Sequence, residues 1–356
     1  MKKLIKILII AVFIFNFIPN DIFGMTSTKE NLKEFKVGAA IALTGWASSF
    51  GESEKNAIIM LREKYDAEGV KFFVEDNKSK PKDGLAAVNK LLNINNVNMV
   101  YCDLTTVANA INPILKRERK IHLACVYLRT LLDNNKYAIR NLPDGLQESG
   151  LLLDYLNKKG IKLDRVALLI SNDEFGNSSA VDLREATAKY GHSIIYKEVI
   201  PDLNILKSEI TKLLSKKPTV VYIGSLLSHV GNCIKELRIQ GYTGEIITND
   251  NFPYPYVLNP AGKYAKGTTY VAFKETEKLS KFKEAYKAKF NKDLVTTAVL
   301  AHDGISFILD LIKQSGSQDL DSFFEFISDK TFDGSYGKMV LKGRKIIYPM
   351  EVKVWQ

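Results

Sequence analysis

The chain has 356 residues, of which 46% are hydrophobic and 25% charged, with 22 glycines, 10 prolines and 3 cysteines. This composition is typical of globular proteins, and it excludes a disordered chain, a collagen-like chain and a disulfide scaffold. The length exceeds the roughly 250 residues at which single domains stop growing, so we expect two lobes. The net charge of +10 at pH 7 arises from 50 basic residues interspersed with 40 acidic ones, and it therefore predicts no nucleic-acid partner.

The first 24 residues have the pattern of a secretory signal peptide. Lys2, Lys3 and Lys6 surround the start of an apolar run over residues 4–18, and a short polar stretch then leads to the small residue Gly24. We expect cleavage near Gly24. An uncleaved membrane anchor is the competing interpretation, but the apolar core is shorter than the ~20 residues that span a bilayer. The mature protein is therefore expected to be soluble and periplasmic, or otherwise exported.

Short apolar runs alternate with amphipathic stretches in the first part of the mature chain. We predict strands at residues 36–43, 70–75, 97–102 and 120–125. Apolar residues recur at helical spacing at residues 54–65, 81–92 and 105–116, which predicts helices there. Apolar strands separated by helices indicate a parallel sheet that is covered on both faces.

The same alternation begins again near residue 145 and predicts a second doubly wound lobe. Its predicted strands are residues 165–170, 193–199, 219–223 and 245–248, and its predicted helices are residues 177–190, 204–215 and 228–239. The rest of the chain is predicted to contain helices at residues 280–290, 296–314 and 320–328 and strands at residues 338–341 and 346–355. These last elements must return to one of the two lobes.

Six blocks of the sequence stand out, and they read KVGAAIALTGWASSFG at residues 36–51, VEDNKSKPKDGLAAVNKLL at 74–92, RNLPDGLQESGLLLDYL at 140–156, VALLISNDEFGNSSAVDLR at 166–184, VVYIGSLLSHVGNCIKELRIQG at 220–241 and TFDGSYGKMVL at 331–341. These blocks resemble type I periplasmic binding proteins of the leucine/isoleucine/valine-binding family. They follow one another in the family's order along the whole mature chain. The resemblance implies an α/β fold with two doubly wound parallel-sheet lobes, joined by a hinge of three crossovers.

The resemblance also implies a domain division and a function. With crossovers at residues 141–146, 267–274 and 334–337, residues 36–141 and 273–335 would form the first lobe. Residues 142–272 and 336–356 would form the second lobe. Proteins of this family close on a small ligand and deliver it to the membrane permease of an ABC importer. Others present the closed form to a sensory receptor kinase or chemoreceptor, and the sequence does not separate the two functions.

Ligands of open parallel sheets bind beyond the carboxyl ends of the strands, where loops and helix N-termini meet. The resemblance places Thr106 where relatives hold the ligand carboxylate, and Thr105 stands beside it at the predicted start of a helix. A plain helix cap is the alternative for these threonines. The resemblance also places Asp250 where relatives hold the ligand ammonium, with local turn chemistry as the alternative.

Aromatic residues in the predicted cleft loops are candidates for the walls of a pocket. Phe50 and Phe175 stand where relatives place rings against the ligand side chain, and Trp46 lies in the same loop as Phe50. Tyr254 belongs to the segment NFPYPY and is expected at the rim of the cleft. Local packing is the alternative for each of these residues.

The segment CVYLRT at residues 125–130 departs from the family pattern. Amino-acid-binding relatives carry small residues and a ligand-contacting threonine there, whereas this chain has Tyr127 and Arg129. We expect Arg129 to hold a ligand carboxylate bidentately, with a surface arginine as the alternative. Leu227, next to Leu226, stands where a ligand-facing tyrosine is common. The expected ligand is therefore an amino acid or another small carboxylate, and an anionic or aromatic-compatible one is favoured.

The sequence contains none of the common catalytic motifs, namely G-x-S-x-G, H-E-x-x-H, the P-loop or G-x-G-x-x-G, and its four histidines are isolated. Its three cysteines form no C-x-x-C pattern, and Cys102 with Cys125 is the one pair considered for a disulfide. We therefore expect a monomeric binding protein and not an enzyme. It should have no cofactor and no bound metal, and its partners should be a small-molecule ligand and a permease or sensory receptor.

Overall fold

The computed structural model describes residue 32 and residues 34–143, 145–200, 203–225, 228–317 and 319–356. The predicted signal peptide and Leu227 lie outside the described residues. Among the residues that the structure describes, no helix is both long and apolar enough to cross a membrane.

Strands and helices alternate along most of the described chain. The strands are β1 (Lys36–Ile41), β2 (Lys71–Asp76), β3 (Met99–Cys102), β4 (Ile121–Ala124), β5 (Ala138–Arg140), β6 (Val166–Ser171), β7 (Tyr196–Ile200), β8 (Val220–Gly224), β9 (Glu245–Thr248), β10 (Thr269–Phe273), β11 (Thr331–Gly334), β12 (Gly337–Lys342), β13 (Lys345–Ile347) and β14 (Met350–Val354). The helices are α1 (Ser48–Tyr65), α2 (Pro81–Asn93), α3 (Thr105–Arg117), α4 (Leu131–Asn134), α5 (Gly145–Lys158), α6 (Glu174–Ala188), α7 (Leu206–Ser215), α8 (Ser228–Ile239), α9 (Pro255–Ala261), α10 (Glu277–Phe290), α11 (Thr296–Ser315) and α12 (Leu320–Phe326).

The strands form two sheets, and each sheet is the centre of one lobe. The eight-stranded sheet has the order β11-β12-β13-β5-β4-β3-β1-β2, and the six-stranded sheet has the order β14-β10-β9-β8-β6-β7. Strands β1 to β5 and strands β6 to β10 pair in parallel within their own sheets. We call the lobe with eight strands the larger lobe and the other the smaller lobe. The predicted doubly wound α/β architecture is confirmed.

Buried strands, and helices with one apolar face, explain why each lobe folds. All six residues of β6 and all four residues of β3 and of β4 are buried, as expected for central strands covered on both faces. Helix α3 buries Val107, Ile111 and Leu115, which lie at the i, i+4 spacing of one helix face. Helix α11 packs against α1, so the segment after β10 completes the larger lobe.

The passage from the larger to the smaller lobe near the carboxyl end differs from the sequence prediction. Residues 336–356 were expected in the smaller lobe, but β12 pairs with β13, and β13 pairs with β5 of the larger sheet at Lys345 and Arg140. The chain therefore crosses at Tyr348 and Pro349, between β13 and β14, and not at residues 334–337. The reason is that β11 and β12 form an antiparallel hairpin, which keeps β12 in the sheet of β11.

The crossovers are joined to one another by buried contacts. Asn141, after β5, donates from its side-chain amide to the Leu300 carbonyl at 2.8 Å, and it accepts a hydrogen bond from the Tyr348 hydroxyl at 2.6 Å. The Phe273 ring, at the end of β10, meets the Tyr348 ring edge to face, with their centroids 5.6 Å apart. Three connections between the lobes are thus held in one packed region, the arrangement from which a hinge closure can pivot.

Gly304 in α11 permits this close packing around Asn141. A Cβ atom at Gly304 would lie 2.3–2.5 Å from the Asn141 side-chain amide. We expect Gly304→Ala to lower the free energy of unfolding by roughly 1–3 kcal/mol, the usual cost of overpacking. Denaturant unfolding measures it, with Gly150→Ala in α5 as the matched control. A Cβ at Gly150 meets nothing within 4 Å. Equal stabilities of the two variants would contradict this account of the hinge.

The cysteine pair considered for a disulfide is not bonded. Cys102, Cys125 and Cys233 are all free and buried. Cys102 packs in the apolar cluster on one face of the larger sheet, whereas Cys125 packs in the cluster on the opposite face. Two thiols on opposite faces of a sheet cannot reach disulfide geometry without movement of the backbone.

Candidate functional site

A cavity of about 120 Å³ lies between the two lobes, at the edge where the carboxyl ends of several parallel strands converge. Most of the site residues predicted from the sequence line it: Trp46, Phe50, Thr105, Thr106, Tyr127, Phe175, Asp250 and Tyr254. Further lining residues come from the start of α11, among them Thr296 and Thr297. The sequence patterns did not indicate these two threonines. They belong to the part of the larger lobe that follows most of the smaller lobe in the chain, and they do not directly follow a strand.

The amino end of α3 points two threonines and several backbone N–H groups toward this edge. Leu104 occupies the N-cap position and no side chain caps the helix, so Thr105 and Thr106 are the first helical residues and not its cap. Helix N-termini have free N–H groups and partial positive charge. This end of the cavity can therefore accept a negative or electron-rich atom of a ligand.

A buried acid stands immediately before α3. The Asp103 carboxylate accepts hydrogen bonds from the Ala42 N–H at 3.1 Å and from the Asn77 side-chain amide at 2.9 Å. Burial raises the pKa of Asp103 to about 6. Next to it, burial and the Asp103 charge raise the pKa of Glu54 well above its ordinary value, and Glu54 accepts a hydrogen bond from the Tyr101 hydroxyl at 3.0 Å. The pair therefore binds protons more tightly than exposed acids do.

A second acidic pair lies on the smaller-lobe side, bridged by a tyrosine of the larger lobe. The Tyr127 hydroxyl lies 2.5 Å from Glu148 Oε1 and 3.0 Å from Asp250 Oδ1. The single hydroxyl proton can be donated to only one of these two carboxylates at a time. Burial also raises the pKa of Asp250 to about 6. Among the described residues, the donors to the Asp250 carboxylate are the Tyr127 hydroxyl and the backbone N–H of Asp250 itself, and both are neutral.

Aromatic rings form the apolar walls of the cavity. Tyr254 and Tyr256 stack with centroids 5.3 Å apart, and Phe50 meets Tyr256 edge to face at 5.9 Å. Tyr127 and Phe175 form another edge-to-face pair at 4.6 Å. Rings arranged in this way bury large apolar area while staying rigid, which suits the side chain of a small ligand.

Trp46 stands at the mouth of the cavity and is 53% exposed. Its loop is held on both sides, because the Thr44 hydroxyl donates to Asp76 at 2.6 Å and the Ala47 N–H donates to the Ser79 hydroxyl at 3.2 Å. An exposed ring on a well-anchored loop can cover a ligand without being part of the core. The sequence prediction placed Phe50 in this loop, but α1 begins at Ser48, so Phe50 lies in the first turn of the helix.

Arg129 does not take the expected role of a ligand clamp. It does not line the cavity, and its guanidinium instead contacts Asp182 and Glu185 of α6, the latter at 3.0 Å. The Asp182 side chain is 2% exposed, so its carboxylate depends on the arginine for charge compensation. Arg129 thus joins the larger lobe to a helix of the smaller lobe. The side-chain amide of Asn109 adds a second bridge to α6, at 2.6 Å from Glu174.

Arg129→Ala should weaken the binding of every ligand by a similar factor, corresponding to roughly 1–3 kcal/mol, because it removes a charge-assisted interlobe bond and no ligand contact. Calorimetric titration with ligands of different charge measures this effect. The double variant Arg129→Ala/Asp182→Asn is the control and should recover part of the affinity, since it removes the uncompensated buried charge. A selective loss for carboxylate ligands would contradict this role.

Three comparisons with known proteins agree with the fold. A sequence model of the periplasmic binding protein family matches residues 34–352. An amino acid binding protein of Pseudomonas aeruginosa is 23% identical over 258 residues, which is 66% of this chain and 66% of that relative's length.

Solved structures of binding proteins also superpose on the chain. The solute binding protein of an ABC transporter from Rhodopseudomonas palustris BisB5, in complex with 3,4-dihydroxybenzoic acid, is 21% identical, with a TM-score of 0.77 over 90% of this chain and 93% of that one. The leucine binding protein LivK of Thermotoga maritima MSB8 is 17% identical, with a TM-score of 0.77 over 90% and 95%. The chain therefore belongs to the periplasmic binding protein family.

Proposed function

We propose that the protein is an exported solute-binding protein. It captures a small organic ligand with a positively charged nitrogen, an amino acid or a related amine, and delivers it to the permease of an ABC importer. The observation that carries this proposal is the buried Asp250 carboxylate in the interlobe cavity, whose donors among the described residues, the Tyr127 hydroxyl and its own backbone N–H, are neutral. A ligand ammonium would supply a charged donor and compensate the carboxylate.

The other walls of the cavity complete a site for a small amphipathic molecule. The N-terminus of α3, with Thr105 and Thr106, offers hydrogen-bond donors at the larger-lobe side. The stacked rings of Tyr254 and Tyr256 offer an apolar surface. Arg129 is not assigned to the ligand, since two acids of α6 already hold it.

Contacts between the lobes explain how binding becomes a signal for the permease. Tyr127 of the larger lobe reaches Asp250 of the smaller lobe, and Tyr254 of the smaller lobe hydrogen-bonds Thr296 of the larger lobe. These residues all line the cavity, so a ligand there would contact both lobes. Transport is favoured over sensing because several similar solved structures are solute binding proteins of ABC transporters. The predicted signal peptide is consistent with a periplasmic location.

A thermal-shift screen of the chain lacking residues 1–24 tests the proposal. The compounds are amino acids, monoamines, aromatic acids and short carboxylates. A compound at 100 times its Kd should stabilise the protein by about 2.7 kcal/mol. Small-angle scattering should then show a smaller radius of gyration when that compound is added. The proposal fails if no nitrogen-bearing compound raises the melting temperature or changes the radius.

A further inference from the structure

We propose that the cleft selects a ligand of net positive charge, an amine without a compensating carboxylate, over the zwitterion and the acid that share its apolar part. This inference rests on the proposed function and specifies the ligand class of the same site. The inference rests on three features of the described residues: the carboxylates that line the cavity, the lack of a lining cation and the aromatic walls.

Acids from both lobes line the cavity, and no basic side chain does. Asp103 of the larger lobe is 9% exposed and Asp250 of the smaller lobe is 8% exposed. Asp173 also lines the cavity, where it caps α6 by accepting from the Gly176 N–H at 2.8 Å. Among the described lining residues there is no lysine, arginine or histidine. A ligand carboxylate would therefore enter a site whose formal charges are all negative.

The protein compensates these charges with neutral donors only. Asp103 is held by the Ala42 N–H, the Asn77 side-chain amide and a hydrogen bond with the Glu54 side chain, and Asp250 is held by the Tyr127 hydroxyl and its own backbone N–H. Neutral donors lower the cost of burying a carboxylate less than a cation does, and burial raises the pKa of both acids accordingly. A ligand cation would relieve this cost at both acids.

The partial positive charge of the α3 N-terminus is weakened by a neighbouring acid. The N-terminus of α3 carries partial positive charge, but Asp103 stands directly before that helix and offsets it. The nearest arginine of the cleft loops, Arg129, is taken by Asp182 and Glu185. A carboxylate of the ligand thus meets partial charges only, whereas an ammonium meets full charges.

The aromatic walls add a further preference for a cation. The Tyr254 and Tyr256 rings stack, and the Phe50 ring meets Tyr256 edge to face, beside the acids of the same cavity. Ring faces attract ammonium groups, and more strongly when water is excluded. Apolar contact, cation–π attraction and the carboxylates therefore favour one class of compound.

Three probes with one phenol ring separate the charges. Tyramine carries +1, tyrosine is a zwitterion, and 3-(4-hydroxyphenyl)propionate carries −1 at pH 7.5. Comparing the affinities for tyramine and tyrosine isolates the effect of the ligand carboxylate. Comparing the affinities for tyrosine and the propionate isolates the effect of the ligand ammonium. In calorimetric titrations of the chain lacking residues 1–24, we expect tyramine to bind at least about tenfold more tightly than tyrosine, and the propionate to bind most weakly.

A variant makes the assignment to the acids specific. Asp103→Asn should reduce the preference for tyramine over tyrosine at least about threefold, with circular dichroism to verify folding. Tighter binding of tyrosine or of the propionate to the unmodified protein would overturn the inference but leave the proposed function standing. The same conclusion holds if none of the three binds while another nitrogen compound from the screen closes the lobes. Absence of closure by every such compound would remove both.

Discussion

Asp250→Asn should weaken the binding of an amine ligand by roughly 2–5 kcal/mol, the cost of removing one partner of a buried charge pair. The carboxylate lines the cavity, is 8% exposed, and among the described residues has only the Tyr127 hydroxyl as a hydrogen-bonding side chain. The asparagine amide has nearly the same shape, so the substitution removes charge without creating a cavity. Calorimetric titration of the unmodified chain and the variant with the same ligand measures the difference.

A matched control separates charge in the cleft from charge in general. Asp333→Asn removes a carboxylate of the same kind on β11, where the side chain is 70% exposed and pairs with Lys278. This variant should bind the ligand as the unmodified chain does. If Asp250→Asn also keeps its affinity, with an unchanged melting temperature, then Asp250 does not hold the ligand nitrogen and the proposed site is wrong.

The affinity for an amine ligand should fall about tenfold for each pH unit below 6. An ammonium needs the ionised form of Asp250, and burial raises the pKa of this acid to about 6, so the ionised fraction decreases tenfold per unit below that pH. The amine itself stays protonated throughout, and the change therefore comes from the protein. Above pH 7 the affinity should be constant.

Several titratable groups share the surroundings of Asp250, and they set the control. Glu148 and Tyr127 belong to its hydrogen-bonded network, and Cys125, Tyr222 and Tyr254 lie close enough to interact electrostatically. The thiol and phenol groups have raised pKa values and stay neutral below pH 8. Titrations at pH 7.5, 5.5 and 4.5 should show the loss for the unmodified chain and a shallower dependence for Asp250→Asn. A flat profile for the unmodified chain would contradict the assignment.

The fold was predictable wherever the hydrophobic pattern extends over enough residues to be recognised. The central strands β1, β3, β4, β6 and β8 are apolar runs between amphipathic helices, and they were predicted within a few residues. Strand β5 has only three residues, and β11, with the sequence TFDG, has one buried residue of four, so neither forms an apolar run. The placement of β12 and β13 was wrong because pairing partners depend on the whole sheet, and a strand pattern carries no information about them.

The position of the site followed from topology, but its chemistry did not. Residues that follow parallel strands gather at one edge, which is why Thr105, Phe175 and Asp250 were predicted to meet and all line one cavity. Arg129 was assigned to the ligand because its partner Asp182 lies on a helix 53 residues further along the chain, and no sequence pattern reveals such an ion pair. The hydrogen-bonded network of Glu148, Tyr127 and Asp250 is hidden for the same reason.

A crystal structure with the compound that stabilises the protein most strongly in the screen tests the central claim most directly. We expect electron density for that compound between the lobes, in contact with the Tyr254 and Tyr256 rings. Its nitrogen should lie within hydrogen-bonding distance, about 2.7–3.2 Å, of the Asp250 carboxylate. Binding outside the interlobe cavity, or inside it with the nitrogen turned away from Asp250, would contradict the account.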